Sequence, residues 1–138
     1  MILRTSHIIS FVEDHEDFAA LLLRALARAR PTYNIVAKSS YRDAIEAAKQ
    51  CRFDWLLCDI GLPDGDGCKL LTEVWEQYPV RGIALTAYAF PSELQRCLSA
   101  GSDDLITKPA RLEVILNSID RVASQSAKKG SSGDFASG

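Results

Sequence analysis

The sequence predicts an α/β fold, a doubly wound sandwich around a five-stranded parallel sheet. Five short apolar runs alternate with five stretches whose apolar residues recur at helical spacing, which gives the order βαβαβαβαβα. Strands that alternate with helices pair in parallel, and right-handed crossovers then cover both faces of the sheet. The length of 138 residues fits one domain of ordinary size.

The first three elements lie before residue 39. Residues 7–12, HIISFV, form a short apolar run that predicts a buried strand. Residues 15–30 predict a helix, which Pro31 ends. The apolar positions at helical spacing are Phe18, Leu21, Leu22, Ala25, Leu26 and Ala29. Residues 34–38 contain adjacent β-branched side chains and predict the second strand.

A capping signal precedes the third strand and a turn-rich loop follows it. Ser40 stands three residues before Asp43, close to a capping box, and predicts a helix that runs to about Cys51. Residues 54–60, DWLLCDI, predict the third strand. Residues 61–67, GLPDGDG, are rich in glycine, aspartate and proline and predict a loop.

The second half of the chain continues the alternation. The predicted helices span 68–78, 92–100 and 111–123, and the predicted strands span 81–87 and 105–107. Pro79 stops the first of these helices, and Gly101 is placed to end the second. The inward positions of the last helix are Leu112, Ile115, Leu116, Ile119 and Val122.

Composition argues against several classes of protein. Sixteen basic and eighteen acidic residues give a net charge of −2, without the basic excess typical of nucleic-acid-binding domains. The longest apolar runs fall far short of the ~20 residues of a membrane helix, and no secretory leader is evident. We therefore expect a cytoplasmic protein with no membrane partner and no direct nucleic-acid partner. The four cysteines form no C-x-x-C pair and are expected to be free, buried thiols.

The domain is expected to cover residues 1–124. Residues 125–138 consist largely of Ser, Gly, Ala and Lys. Such a composition cannot bury a core, so this segment is expected to be a flexible tail or linker.

Polar side chains follow four of the predicted strands. Glu13 and Asp14 come after the first strand, and Asp59, Thr86 and Lys108 lie at the ends of the third, fourth and fifth. In open α/β sheets ligands bind beyond the carboxyl ends of the strands, so these residues are expected to converge there.

Three carboxylates at one sheet edge repel one another, and a cation resolves the repulsion. Oxygen donors of this kind suit Mg²⁺, and Mg²⁺ with Lys108 would attract a phosphoryl group. Asp59 at the end of the central strand is the best-placed nucleophile toward phosphorus. Each residue taken singly has a structural explanation. The acids could stabilise a helix N-terminus or form a turn, Thr86 could simply belong to a strand, and Lys108 could be a solvated surface charge. Their joint placement at one sheet edge favours a functional site.

With these residues in place, the chain resembles the receiver domain of two-component response regulators from Ile8 to about Ala123. The motifs that carry the resemblance are Val12-Glu13-Asp14, Asp59-Ile60-Gly61-Leu62-Pro63 with Asp66-Gly67, Leu85-Thr86-Ala87, Ala100-Gly101 with Asp103-Asp104, and Thr107-Lys108-Pro109. The resemblance implies a flavodoxin-like (βα)5 fold with strand order 2-1-3-4-5. No effector domain is predicted after Ala123, so the chain is expected to be a single-domain regulator or a receiver from a hybrid histidine kinase or longer regulator. Residues 82–109 look more like receivers of hybrid histidine kinases.

The resemblance also implies a role for each site residue. Asp59 would accept a phosphoryl group from a phosphohistidine of a histidine kinase or histidine phosphotransfer protein. Thr86 and Lys108 would contact that group. The implied Mg²⁺ ligands are Asp14, Asp59 and the Gly61 carbonyl, with Glu13 acting through water. Asp66-Gly67 would start the third helix, and a weak homodimer is left open as a further partner.

One position departs from the family pattern. Leu105 stands where receivers commonly carry an aromatic residue, which puts the coupling from Thr86 in doubt and leaves Tyr88 as a candidate for it. A degenerate receiver that docks partners without phosphorylation is therefore an alternative. A Mg²⁺-dependent phosphohydrolase is a second, although Gly61 occupies the place of its usual general acid. A flavodoxin-like mononucleotide binder is a third, although residues 13–17 are acidic and would repel phosphate.

Overall fold

The structure, a computed structural model that describes residues 7–88 and 90–125, alternates five sheet strands with five helices. The sheet strands are β1 (His7–Val12), β2 (Tyr33–Lys38), β3 (Trp55–Asp59), β4 (Arg81–Thr86) and β5 (Asp104–Thr107). The helices are α1 (Glu16–Ala29), α2 (Tyr41–Gln50), α3 (Gly67–Gln77), α4 (Pro91–Ser99) and α5 (Leu112–Ala123).

The five strands form one parallel sheet in the order β2-β1-β3-β4-β5. Phe11 of β1 pairs with Ala37 on one side and Leu57 on the other, which places β1 between β2 and β3. Asp59 pairs with Leu85 of β4, so the carboxyl ends of the central strands lie level with each other. The predicted doubly wound, flavodoxin-like architecture and its strand order are confirmed.

Both faces of the sheet are buried, as alternation of strands and helices predicts. Trp55 and Leu57 of β3 pack in a core with residues of α1 and α5. Leu56 and Cys58 point the other way and pack with residues of α2 and α3. A third, small cluster holds Cys68 of α3, Ala84 of β4 and Cys97 of α4. Thus α4 is attached to the sheet through a separate and smaller contact.

Predicted and observed helix limits differ by one residue at most, and two of the helix ends carry the caps that the sequence indicates. Ser40 Oγ accepts from the Asp43 amide at 3.1 Å, the capping bond expected for α2. Gly101 follows α4 with φ of 105°, as a C′ glycine does. The loop over residues 61–67 contains more order than predicted, because Gly61–Leu62 and Gly65–Asp66 pair as two-residue antiparallel strands.

The helical spacing predicts α1 correctly but does not decide which leucines it buries. Leu22 and Leu26 face the sheet and are almost fully buried, whereas Leu21 is 65% exposed. In α5 the inward positions agree with the prediction, with Ile115, Ile119 and Val122 buried in the core.

Two expectations concern the extent of the chain. The predicted tail, residues 125–138, lies almost wholly outside the described residues, and the domain limits stay a prediction. None of the helices within residues 7–88 and 90–125 has the length and apolarity needed to cross a membrane.

Candidate phosphoacceptor site

The three predicted acidic residues meet at the carboxyl end of the sheet. Glu13 and Asp14 directly follow β1, and Asp59 is the last residue of β3. One carboxylate oxygen from each lies within 4.8 Å of the other two. Glu13 and Asp59 are buried, whereas Asp14 is exposed. The cluster therefore has an open side at Asp14.

Lys108 crosses from the end of β5 to neutralise part of this charge. Its Nζ donates to Asp59 Oδ2 at 2.7 Å and to Glu13 Oε1 at 2.9 Å. The ammonium also lies 5.5 Å from the centre of the Phe18 ring, within range of a cation–π contact. The Lys108 amide donates to Thr86 O at 2.7 Å, and this hydrogen bond holds the backbone of Lys108 against β4.

Burial and pairing change the pKa values of this ion pair. Burial raises the pKa of Glu13 above its ordinary 4.5, although hydrogen bonds from Lys108 and the His15 amide oppose the rise. Burial lowers the pKa of Lys108, but the hydrogen bonds to Asp59 and Glu13 and the negative charges of these groups together outweigh that effect, so the pKa is raised above 10.5. Lys108 is therefore charged at neutral pH.

Two glycines, Gly61 and Gly67, allow the backbone that follows Asp59 to pack closely against it. The Gly61 amide donates to Asp59 Oδ1 at 3.0 Å, so both carboxylate oxygens of Asp59 are hydrogen-bonded. The Gly67 amide donates to Ile60 O at 2.9 Å. A Cβ at position 67 would lie 2.3 Å from Asp59 O, a distance that the backbone cannot tolerate. Gly67 therefore lets α3 begin directly against the strand that carries Asp59.

Thr86 is placed beside Asp59, with its hydroxyl engaged by the loop that leads to α4. Thr86 Oγ1 donates to Tyr88 O at 2.9 Å and accepts from the Tyr88 amide at 3.0 Å. The Tyr88 ring itself is 66% exposed and stacks on Phe90 with ring centroids 6.0 Å apart. Thr86 therefore contacts the backbone of Tyr88, while the ring packs on the surface.

Leu105, the departure from the family pattern, lies on the α4 side of the sheet. It is half-buried and packs against the small cluster of Cys68, Ala84 and Cys97. Its side chain therefore fills apolar space between β5 and α4.

A cavity of about 340 Å³ opens in front of Asp59. The residues that line it include Asp59, Gly61, Thr86, Lys108, Glu93 and Arg96. Four of these are predicted site residues.

The sequence did not indicate Glu93 and Arg96, the two α4 residues at this cavity. Arg96 Nη2 lies 2.5 Å from Glu93 Oε2, and Arg96 Nη1 lies 2.5 Å from Asp66 Oδ2. The hydrogen bond with Glu93 raises the pKa of Arg96 further above its already high value. Asp66 also caps α3 through the Cys68 amide at 2.9 Å, so this ion pair links α4 to the first turn of α3. The spacing of Glu93 and Arg96 was the only available signal, and it does not reveal Asp66.

Comparison with known proteins gives a consistent result. The family described as the response regulator receiver domain matches residues 9–120. The chain is 38% identical over 81 residues to the signal transduction histidine-protein kinase BarA of Escherichia coli K12, covering 56% of this chain and 9% of that protein. It is 30% identical over 124 residues to the sensor histidine kinase RcsC of the same organism, covering 88% and 13%. The chain thus spans about a tenth of the length of these relatives.

A solved structure has the same fold. It is a response regulator protein from Burkholderia pseudomallei with a phosphorylated aspartic acid, calcium ion and citrate. Its sequence is 25% identical, the TM-score is 0.74, and the match covers 87% of this chain and 73% of that one.

Proposed function

The chain belongs to the response regulator receiver domain family, and from that premise we propose that it is a phosphorylation-dependent switch whose phosphoacceptor is Asp59. The observation that carries the proposal is the position of the Asp59 carboxylate. It stands at the end of the central strand, faces the cavity, and is ion-paired to Lys108 at 2.7 Å. A carboxylate held in this way is oriented for attack on phosphorus.

The donor is a phosphohistidine of a histidine kinase or histidine phosphotransfer protein. An Asp59 oxygen attacks the phosphorus, and the bond from phosphorus to the imidazole nitrogen breaks. The electron pair stays on that nitrogen, which then takes up a proton, and an acyl phosphate forms on Asp59. Lys108 moves its ammonium from the carboxylate to a phosphoryl oxygen and so compensates the added negative charge.

The donor set fits Mg²⁺. As the resemblance implies, Asp14 and Asp59 would offer carboxylate oxygens, Gly61 would offer its backbone carbonyl, and Glu13 would act through water. All three carboxylates lie within 4.8 Å of one another, and one lysine cannot neutralise them all. When bound, the ion supplies positive charge to the phosphoryl oxygens. The Burkholderia protein, which has the same fold, carries a phosphorylated aspartic acid and a calcium ion, and this supports aspartate phosphorylation and cation binding as proposals for this chain.

Thr86 transmits the change. Its hydroxyl now binds the Tyr88 backbone, and a phosphoryl oxygen on Asp59 offers it a stronger, charged acceptor. Turning toward that acceptor releases the loop before α4. The surface that a partner meets around α4 then differs between the two states. Histidine kinase partners and a cytoplasmic location belong to this proposal.

Intact-mass measurement tests the proposal. The protein is incubated with a small acyl phosphate donor and Mg²⁺, and a gain of about 80 Da, one phosphoryl group, is expected. Asp59→Asn should abolish the gain. Asp17→Asn, which removes an exposed carboxylate from the first turn of α1, should leave it unchanged. Equal labelling of wild type and Asp59→Asn, or no labelling of wild type, would refute it.

A further inference from the structure

Two buried thiols touch between α3 and α4. Cys68 lies in the first turn of α3, and Cys97 lies in the last turn of α4. Their sulfur atoms are 2.9 Å apart, and the residues are 3% and 0% exposed. The other buried thiol, Cys58, donates to Asp59 O at 3.2 Å. The 68–97 pair is therefore a distinct contact, and the proposed phosphoryl chemistry makes no use of it.

We propose that Cys68 and Cys97 form a peroxide-sensitive dithiol site whose disulfide joins α4 to α3. Hydrogen peroxide would oxidise one thiol to a sulfenic acid with release of water. The second sulfur then attacks the sulfenic sulfur, the S–O bond breaks, and a second water leaves as the S–S bond forms. Overall two thiols lose two protons and two electrons, and one peroxide becomes two waters.

The weak anchoring of α4 gives the oxidant access. Burial raises the pKa of both thiols, so both are protonated and unreactive while the helices are packed. Among the nine residues of α4, all of them described, Cys97 alone is buried, and no side chain caps the N-terminus of this helix. Leu94 and Leu98 are 43% and 46% exposed. A helix with so little buried surface opens locally at small free energy and brings the thiols together again on closing.

The disulfide would act on the wall of the cavity. Cys97 directly follows Arg96, and Cys68 stands two residues after Asp66. The thiol contact therefore runs parallel to the Arg96–Asp66 ion pair, from the same turn of α4 to the same end of α3. A covalent bond would hold Arg96 and Glu93 at the rim of the cavity and restrict the opening of α4. Formation of the disulfide requires no phosphoryl group on Asp59, so this proposal goes beyond the proposed function.

Peptide mapping of the wild-type protein tests the site. The native protein is treated with hydrogen peroxide, free thiols are alkylated, and the protein is digested with trypsin. Residues 53–69 and 97–111 should be recovered as one linked species, about 2 Da lighter than the sum of the two peptides with Cys58 alkylated and with Cys68 and Cys97 as thiols. Because the first peptide also contains Cys58, fragmentation between positions 58 and 68 must place the bond at Cys68. A dithiol reductant should separate the two peptides.

A matched pair of variants provides the control. Cys97→Ser should abolish the link, and Cys51→Ser, at a half-buried cysteine outside the contact, should retain it. In the wild type, oxidation should slow hydrogen exchange of the α4 amides by about tenfold or more, and in Cys97→Ser it should not. No linked species, a bond through Cys51 or Cys58, or oxygen addition without a link would overturn the proposal. The wild-type map requires neither a folded variant nor phosphorylation, so its outcome is independent of Asp59 chemistry.

Discussion

The Nζ atom of Lys108 lies 2.7 Å from Asp59 Oδ2 and 2.9 Å from Glu13 Oε1, so one ammonium group pairs with two buried carboxylates. Asp14 is exposed and is not a partner of this lysine. The charge balance of the site is therefore uneven. Two acids are compensated by one cation, and a third adds repulsion from the solvent side.

Removing the lysine charge should destabilise the protein. Lys108→Met keeps most of the apolar stem but leaves Glu13 and Asp59 without their cation. We expect the free energy of unfolding at neutral pH without divalent ions to fall by about 2 kcal/mol, and Mg²⁺ to restore part of it. Urea denaturation measures both values. Lys49→Met, which removes only an exposed pair with Glu46 at 3.6 Å, should change stability by about 0.5 kcal/mol or less.

Removing the exposed acid should have the opposite effect. Asp14→Asn relieves repulsion with Glu13 and Asp59 and leaves the Lys108 pairs intact. We expect the metal-free variant to gain about 0.5–1 kcal/mol in urea denaturation. The stabilisation of the wild type by Mg²⁺ should be lost in the same variant. A loss of stability in the absence of metal would contradict the repulsion argument, and Asp17→Asn is the control for removal of an exposed acid.

The raised pKa of Glu13 sets the sign of a pH effect. Between 4.5 and the higher pKa in the folded state, the folded protein binds more protons than the unfolded chain. The stabilisation from this proton is complete below 4.5 and is lost as the pH rises through the folded pKa. Glu13→Gln lacks this dependence. Its free energy of unfolding, relative to wild type without Mg²⁺, should therefore increase with pH above 4.5. A flat or decreasing difference would contradict the assignment.

Two glycines near Asp59 should respond very differently to alanine. At Gly67 the new Cβ would lie 2.3 Å from Asp59 O, and backbone must move to admit it. We expect Gly67→Ala to lose about 2 kcal/mol or more of stability and to weaken phosphorylation of Asp59. At Gly61 the nearest atom is Asp59 Oδ1 at 3.8 Å, an ordinary contact, so Gly61→Ala should fold normally. Thermal unfolding and intact-mass labelling of the pair make the comparison.

Most of the fold was predictable because it depends on local patterns. The strand at residues 7–12 was predicted with its observed limits, and the serine cap of α2 is the bond that Ser40 and Asp43 indicate. The exposure of Leu21 was not predictable, since an apolar residue at the edge of a helical stripe can face either the sheet or the solvent. The two-residue strands in the loop after Asp59 were missed because glycine and aspartate are typical of turns in general.

The convergence of the candidate site residues was predictable. Parallel strands present their carboxyl ends at one edge of the sheet. The sequence was therefore enough to predict that five side chains meet there: Glu13, Asp14, Asp59, Thr86 and Lys108. The metal ligation and phosphoryl transfer assigned to them remain predictions. Arg96 was missed because it reaches the cavity from the side of α4, and its ion pair with Asp66 depends on how α4 packs against α3.

The sequence by itself determined the order of the elements, the sheet edge that carries the acids, and the family. The order and the sheet edge follow from periodicity and from the geometry of parallel strands, and the family follows from the resemblance that the motifs carry. The tertiary structure alone decided which acids Lys108 pairs with, how Thr86 is engaged by the Tyr88 backbone, and that Cys68 meets Cys97. Cys68 and Cys97 lie 29 positions apart, and Lys108 and Glu13 lie 95 apart. Their contacts depend on helix rotation and side-chain rotamers, and neither can be predicted from a local sequence pattern.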